Sequence, residues 1–172
     1  MSLLETLSKQ LGRFDDIDEI KRPPIEQWNP ELSGDIDIQI KADGTWWHEG
    51  TQFTREKLVR LFSTILKKEG SEYFLVTPVE KWRIQVEAHP FVVIMVQFEG
   101  NKIHCVTNVG DAFTVDGDHA IELDHEGIPH VQVRDNLTAR FNRNAFYELA
   151  SKAKEKDGVF YVKSSDLHYC IG

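Results

Sequence analysis

The chain has 172 residues, 41% hydrophobic and 28% charged, a globular mix long enough to bury a core without disulfide or metal staples. Its formal charge of -8 disfavours a nucleic-acid surface, which needs clustered Lys and Arg to follow phosphates, and disfavours an anionic membrane face. The longest apolar run, Phe91 to Val96, is far shorter than the roughly 20 residues a membrane-spanning helix requires.

Ser2 and Glu5 make an S-x-x-E capping pattern ahead of Leu3, Leu4, Leu7 and Leu11 at helical spacing. Gly12 can close that helix in a left-handed cap, so a short N-terminal helix is predicted. The same stretch has no basic region and mixes polar with apolar residues, which argues against a secretory leader. In "RFDDIDEIKRPPIEQWNPELSG", Pro23, Pro24 and Pro30 forbid a long helix and favour an extended arm. Ile17, Ile20, Ile25 and Trp28 suit that arm to lying on the body. We expect four segments: 1–30 as helix and arm, 31–90 as a first α+β unit, 91–129 as central hairpins and 130–172 as a second α+β unit.

"DIDIQIKADGTWWHEG" alternates apolar and polar residues around Asp43-Gly44, a hairpin signal. Thr54 is placed to cap the next helix, whose stripe runs through Leu58, Val59, Leu61, Phe62, Ile65 and Leu66, with Gly70 as its stop. "EYFLVTPVEKWRIQVE" reads as two strands around Pro78. "FVVIMVQFEGNKIHCVTN" reads as a hairpin at Gly100-Asn101, and "AFTVDGDHAIEL" as another at Asp116-Gly117. "HVQVRDNLTARF" pairs near Asp135-Asn136, a helix follows from about Arg143 to Lys156, and "VFYVKSSDLHYCI" closes the chain as a strand pair.

The two helix segments align without a gap at an offset of 88 residues: Phe53 with Phe141, Arg55 with Arg143, Leu61 with Leu149, Ser63 with Ser151 and Gly70 with Gly158. Beyond the glycine, Phe74-Leu75-Val76 meets Phe160-Tyr161-Val162 across a small deletion, and upstream Ile38-Gln39-Ile40 meets Val131-Gln132-Val133. The expected fold is therefore α+β: two pseudo-repeated hairpin–helix–hairpin units joined by a central antiparallel meander, plus the N-terminal helix. Two copies are too few for an open solenoid, so a packed pseudo-symmetric pair is expected.

Arg55 and Arg143 both follow an expected cap, Thr54 and Asn142, where the helix dipole disfavours a cation by a few tenths to about 1 kcal/mol. One reading is an anion site made by each guanidinium and the free helix amides. The other is a structural role, either pairing with an acid such as Glu49 or laying the stem over an aromatic ring. Trp46 and Trp47 are adjacent on a strand, so one points away from the core face and offers a contact surface or packs under the arm.

The remaining chemistry is sparse. "HEGIPH" resembles a zinc-protease motif, but His125 and His130 are five apart and Gly127 and Pro129 break the helix that would hold both ligands on one face. Asp111, Asp116, Asp118, Asp124 and Glu126 lack the order of a calcium loop. His104 and Cys105 are strand neighbours on opposite faces and form no dyad. No hydrolase or phosphate-binding glycine motif is present. Two widely separated cysteines, Cys105 and Cys170, without CxxC, fit free thiols in a cytoplasmic setting.

The segments "DGTWWHEG", "TREKLVRLFSTIL", "YFLVTPVEKWRIQVEAHPF", "TNVGD" and "VRDNLTARFNRNAFYELA" together resemble a bacterial family known as domain of unknown function 1285, over roughly Pro24 to Gly172. The resemblance implies a two-part α+β fold with a repeated motif, carries no established activity, and implies a signalling or regulatory role. The reading that follows is a cytoplasmic binding or regulatory module for a small anionic ligand or peptide. Thr54, Arg55, Trp47, Asn142 and Arg143 are its contact points, with no catalytic residue, metal or cofactor, and no nucleic-acid or membrane partner. Two others stay open: an enzyme using acids and histidines from Asn108 to His130, and a protein–protein adaptor docking through Trp46–Trp47 or an edge strand.

Overall fold

The computed structural model describes residues 22–172. The predicted N-terminal helix, with Leu3, Leu4, Leu7 and Leu11, and Ile17 and Ile20 of the arm lie outside these described residues. The described chain is mostly β, with two short α-helices, and forms two compact units. The first takes the chain up to Gln39 and Trp46–Gln85; the second takes Ile40–Thr45 and Val86–Gly172.

In the first unit a 3-10 turn, Ile25–Gln27, precedes β1 (Gly34–Ile40), β2 (Trp46–His48), β3 (Thr51–Gln52), α1 (Glu56–Thr64), β4 (Leu66–Glu69), β5 (Glu72–Val76) and β6 (Lys81–Val86). The strands form one six-stranded sheet in the order β3-β2-β1-β6-β5-β4. β1 and β6 run parallel: Ser33 N donates to Lys81 O at their start, and Glu87 N donates to Ile40 O at their end. Ile38, Trp46, Phe62, Ile65, Leu66 and Leu75 are fully buried. Burial of side chains this size contributes about 1.5–3 kcal/mol each. The arm docks as its apolar residues suggest, with Ile25 against Phe74 and Val76 and Trp28 packed beside them.

The second unit holds β7 (Phe91–Glu99), β8 (Lys102–Thr107), β9 (Ala112–Thr114), β10 (Ile121–Leu123), β11 (Pro129–Arg134), β12 (Leu137–Phe141), α2 (Arg143–Ala150), β13 (Lys154–Lys156), β14 (Val159–Ser164) and β15 (Leu167–Cys170). One six-stranded sheet runs β10-β11-β12-β7-β8-β9, with β12 parallel to β7, and a separate three-stranded sheet runs β13-β14-β15. The turn at 40–45 belongs to this unit. Gly44 has φ +87, and a Cβ there would stand 2.8 Å from Val92 Cγ2 and 2.9 Å from Asn108 Nδ2. Only glycine fits this close approach. Asn108 Nδ2 donates to Gly44 O at 3.2 Å, and Asn108 Oδ1 accepts from Val92 N at 3.0 Å. The "DGT" and "TNVGD" segments are thus joined by structural hydrogen bonds.

The structure corrects the expected fold in four places. The described chain is mostly β rather than α+β, because its two α-helices are shorter than their sequence patterns. α1 stops at Thr64, where Ser63 and Thr64 hydroxyls donate to Arg60 O and Leu61 O, each at 2.6 Å. Such back-bonding competes with continuation of the helix. The next residues pair as strand β4, Leu66 with Leu75, so Gly70 serves the β4–β5 turn and not a helix stop. α2 ends at Ala150 in the same way, Ser151 Oγ donating to Glu148 O at 2.6 Å, and Lys154–Lys156 is a strand. Finally, "AFTVDGDHAIEL" is not a hairpin: β9 pairs with β8 and β10 with β11, at opposite edges of their sheet. Asp116 still builds a turn, accepting from Asp118 N and His119 N at 2.9 Å each, and that turn redirects the chain from one edge to the other.

Candidate functional site

The residues singled out from sequence occupy unequal places. Arg55, not Thr54, takes the N-cap position of α1, with extended backbone (φ -87, ψ 105) and no side-chain cap. Thr54 and Arg55 are both exposed. Asn142 is a true cap, its Oδ1 accepting from Ala145 N at 2.8 Å. Arg143 opens α2 and lies over Tyr147, its Nε donating to the phenol oxygen at 3.2 Å and its guanidinium 5.7 Å from the ring centroid. That is the stem-on-aromatic arrangement. Trp46 is fully buried, and Trp47 on the opposite side of β2 is half-buried.

A different set of residues forms a cavity within the second unit. The three-stranded sheet has two sides, fixed by its register. Lys154 faces Tyr161, Lys156 faces Val159, and Lys163 faces His168 across the strands. Directly opposed residues share a side and alternate residues repeat it, so all six stand on one face. The other side carries Val162, Ser164 and Tyr169, which are buried. Ser164 fixes the sheet from that buried side, accepting from Ile103 N at 2.9 Å and donating to Val115 O at 2.6 Å. With one face anchored, the lysine face is left to solvent.

These six residues line a groove of about 880 Å³, together with Phe98 and Ile103 of the β7–β8 hairpin. Lys152 lines it too, its ammonium 5.9 Å from the Phe98 centroid. Four lysines and a histidine thus meet there against Glu155 and Asp157, a local reversal of sign in a chain of net charge -8. Clustered cations beside apolar walls focus potential and draw in anions.

Other polar residues serve the scaffold. Asp111 Oδ1 accepts from Arg134 Nε at 3.1 Å and its other oxygen from Thr107 Oγ1 at 3.2 Å, while the Arg134 guanidinium lies 4.9 Å from the Phe91 centroid. Asp124 ties its own loop, and the amides of Ile128 and Glu126 hold its carboxyl below the usual range. His104 contacts Thr114 Oγ1 at 2.8 Å and Glu99 Oε2 at 3.1 Å, and His119 stacks on Phe113. His89 stacks on His130 with centroids 4.9 Å apart. Among the described residues no group of three or more His, Cys, Asp or Glu is placed to hold a metal ion. Cys105 is buried, which pushes its thiol up to about 12, and Cys170 is a second free thiol. No helix of the described residues is long and apolar enough to cross a membrane.

Comparison with known proteins extends over nearly the whole chain. The model of "Domain of unknown function (DUF1285), N-terminal domain" matches residues 23–89, and that of "Protein of unknown function (DUF1285), C-terminal domain" matches 90–171. Their junction falls near the boundary between the two compact units. The crystal structure of a DUF1285 family protein from Silicibacter pomeroyi DSS-3 is similar at a TM-score of 0.83 and 35% identity, covering 96% of this chain and 93% of that one. One from Shewanella baltica OS155 is similar at a TM-score of 0.58 and 28% identity, covering 66% of this chain and 90% of that one. No curated protein matches the chain.

Proposed function

This chain belongs to the DUF1285 family, and on that footing we propose that it is a binding module for anionic ligands in a regulatory or signalling role. The observation that carries the proposal is the groove: four lysines and a histidine gathered beside Phe98, Ile103 and Tyr161 on an otherwise acidic protein. The groove replaces the two arginines as the main contact surface. Arg143 already has Tyr147 beneath it, whereas Lys154, Lys156 and Lys163 are exposed and share one face. The two free thiols, one of them buried, are in keeping with a cytoplasmic protein.

The two halves are copies of one motif in this reading. β1–β2, α1 and β4–β5–β6 are succeeded by β11–β12, α2 and β13–β14–β15 in the same order. Registers support the equivalence: Leu66 pairs with Leu75 and Lys68 with Tyr73, as Lys154 pairs with Tyr161 and Lys156 with Val159. The two-residue deletion falls in the turn.

The test is thermal unfolding at low salt with citrate, inorganic tripolyphosphate and a glutamate-rich peptide, since a ligand that binds only the folded state raises Tm. At least one of these anions raises Tm, and the Lys154→Glu/Lys156→Glu/Lys163→Glu variant loses the rise while keeping the wild-type circular dichroism spectrum. No rise with any of the three sinks the proposal.

A further inference from the structure

Resting on that reading of the groove, we propose that its ligand is an extended peptide in which acidic residues alternate with apolar ones. The groove is larger than a lone inorganic anion needs: about 880 Å³ lies near the top of the range for small-ligand sites. The cations are also dispersed. Lys154 and Lys156 stand on β13, Lys163 on β14 and His168 on β15, so they span three strands instead of converging on one point. Neighbouring strands are about 4.8 Å apart and alternate residues along a strand about 7 Å. A compact phosphate group reaches one or two such positions.

An extended peptide has the matching repeat. Its side chains at i and i+2 lie on one side, about 7 Å apart, the same step as from Lys154 to Lys156 and from Tyr161 to Lys163. Carboxylates at alternate positions therefore meet Lys154 and Lys156 in succession along β13, with Lys163 on the neighbouring strand. The intervening residues project the other way, and of the apolar residues lining the groove outside the three-stranded sheet, half-buried Phe98 keeps surface to receive an apolar side chain. A ligand of charge alone leaves that surface without a partner. The excess of acidic over basic residues elsewhere on the chain disfavours basic peptides and steers acidic ones to this one face.

The experiment is fluorescence anisotropy at low salt with a labelled eight-residue peptide alternating Asp and Val. Its competitors are the same composition with the four acids contiguous, the Lys–Val counterpart, and inorganic tripolyphosphate. The alternating peptide is expected to bind at least tenfold tighter than the contiguous one, the Lys–Val peptide not at all, and affinity to fall as salt is raised. Lys154→Glu/Lys163→Glu, both exposed positions, is expected to weaken the alternating peptide tenfold or more with an unchanged circular dichroism spectrum. Equal binding of the contiguous peptide or of tripolyphosphate overturns the peptide inference and leaves the anionic groove standing. Unchanged affinity in the double variant also overturns it, because the peptide then docks elsewhere. Failure of every anion to bind removes both this inference and the functional reading beneath it.

Discussion

In the hairpin after α1, Leu66 faces Leu75 across the strands and both are fully buried. In the hairpin after α2, the same first pair is Lys154 and Tyr161, the lysine exposed and the tyrosine half-buried. The two hairpins share their strand pairing and their place after a helix. They differ in what the sheet does next. β4 and β5 continue through β6 to β1 in a six-stranded sheet, whereas β13, β14 and β15 stop at three strands. A hairpin thus serves as core in one unit and leaves a face open to solvent in the other. A charged, solvent-facing surface is made by withholding apolar residues from one side of a short sheet whose other side is pinned.

Substitutions test that contrast, and the largest effect is expected where the second unit is secured away from its hairpin. The Arg134 and Asp111 side chains are only 7% and 18% exposed. Asp111→Ala takes the facing carboxylate away from a buried guanidinium, so a loss of about 3–5 kcal/mol is expected in urea unfolding. A loss below about 1 kcal/mol would move the anchor of this unit to the hairpin itself. Next, Leu75→Ala is expected to cost about 2–5 kcal/mol by leaving a cavity, while Lys163→Ala stays within about 0.5 kcal/mol. Comparable losses from the two would erase the core-versus-surface distinction.

The helix starts sharpen the comparison on a smaller scale. Asn142→Ala removes a real cap and is expected to cost about 0.5–2 kcal/mol, whereas Thr54→Ala, with no cap to lose, is near neutral. The smallest effect concerns pH. Glu69, at the end of β4, is held below its usual value chiefly by the hydrogen bond from Lys81, opposed by desolvation and helped by the Lys81 and Lys67 charges. A carboxyl depressed on folding adds stability above its unfolded pKa and loses it as pH falls through the folded value. Stability of the first unit should therefore decline slightly as pH drops below the usual carboxylate range. Glu69→Gln should flatten that decline, and an unchanged acid limb in chemical denaturation would remove Glu69 as its source.

Much of the local structure was legible because it depends on near neighbours. Asp135-Asn136 adopts positive φ in its turn, Asn142 caps its helix, and Trp46 and Trp47 take opposite sides as strand alternation requires. Cys105 and Cys170 are the free thiols that their spacing suggested. The groove was half-legible. Lys152, Lys154 and Lys156 recur at every second residue, a strand period, but lysine and glutamate are good helix formers and the segment reads as the tail of a helix. Tyr161, Lys163 and His168 join them only through register, and Phe98 and Ile103 come from strands far earlier in the chain.

By itself, then, the sequence determined strand alternation, the Asn142 cap and turns such as Asp135-Asn136, because each is decided by backbone sterics and hydrogen bonds within a few residues. The tertiary structure alone decided that Lys67–Glu69 and Lys154–Lys156 become strands, that β9 and β10 part to opposite edges, and that Arg134 meets Asp111. Each of those outcomes rests on partners distant in sequence, and pairing with them outweighs local helix preference.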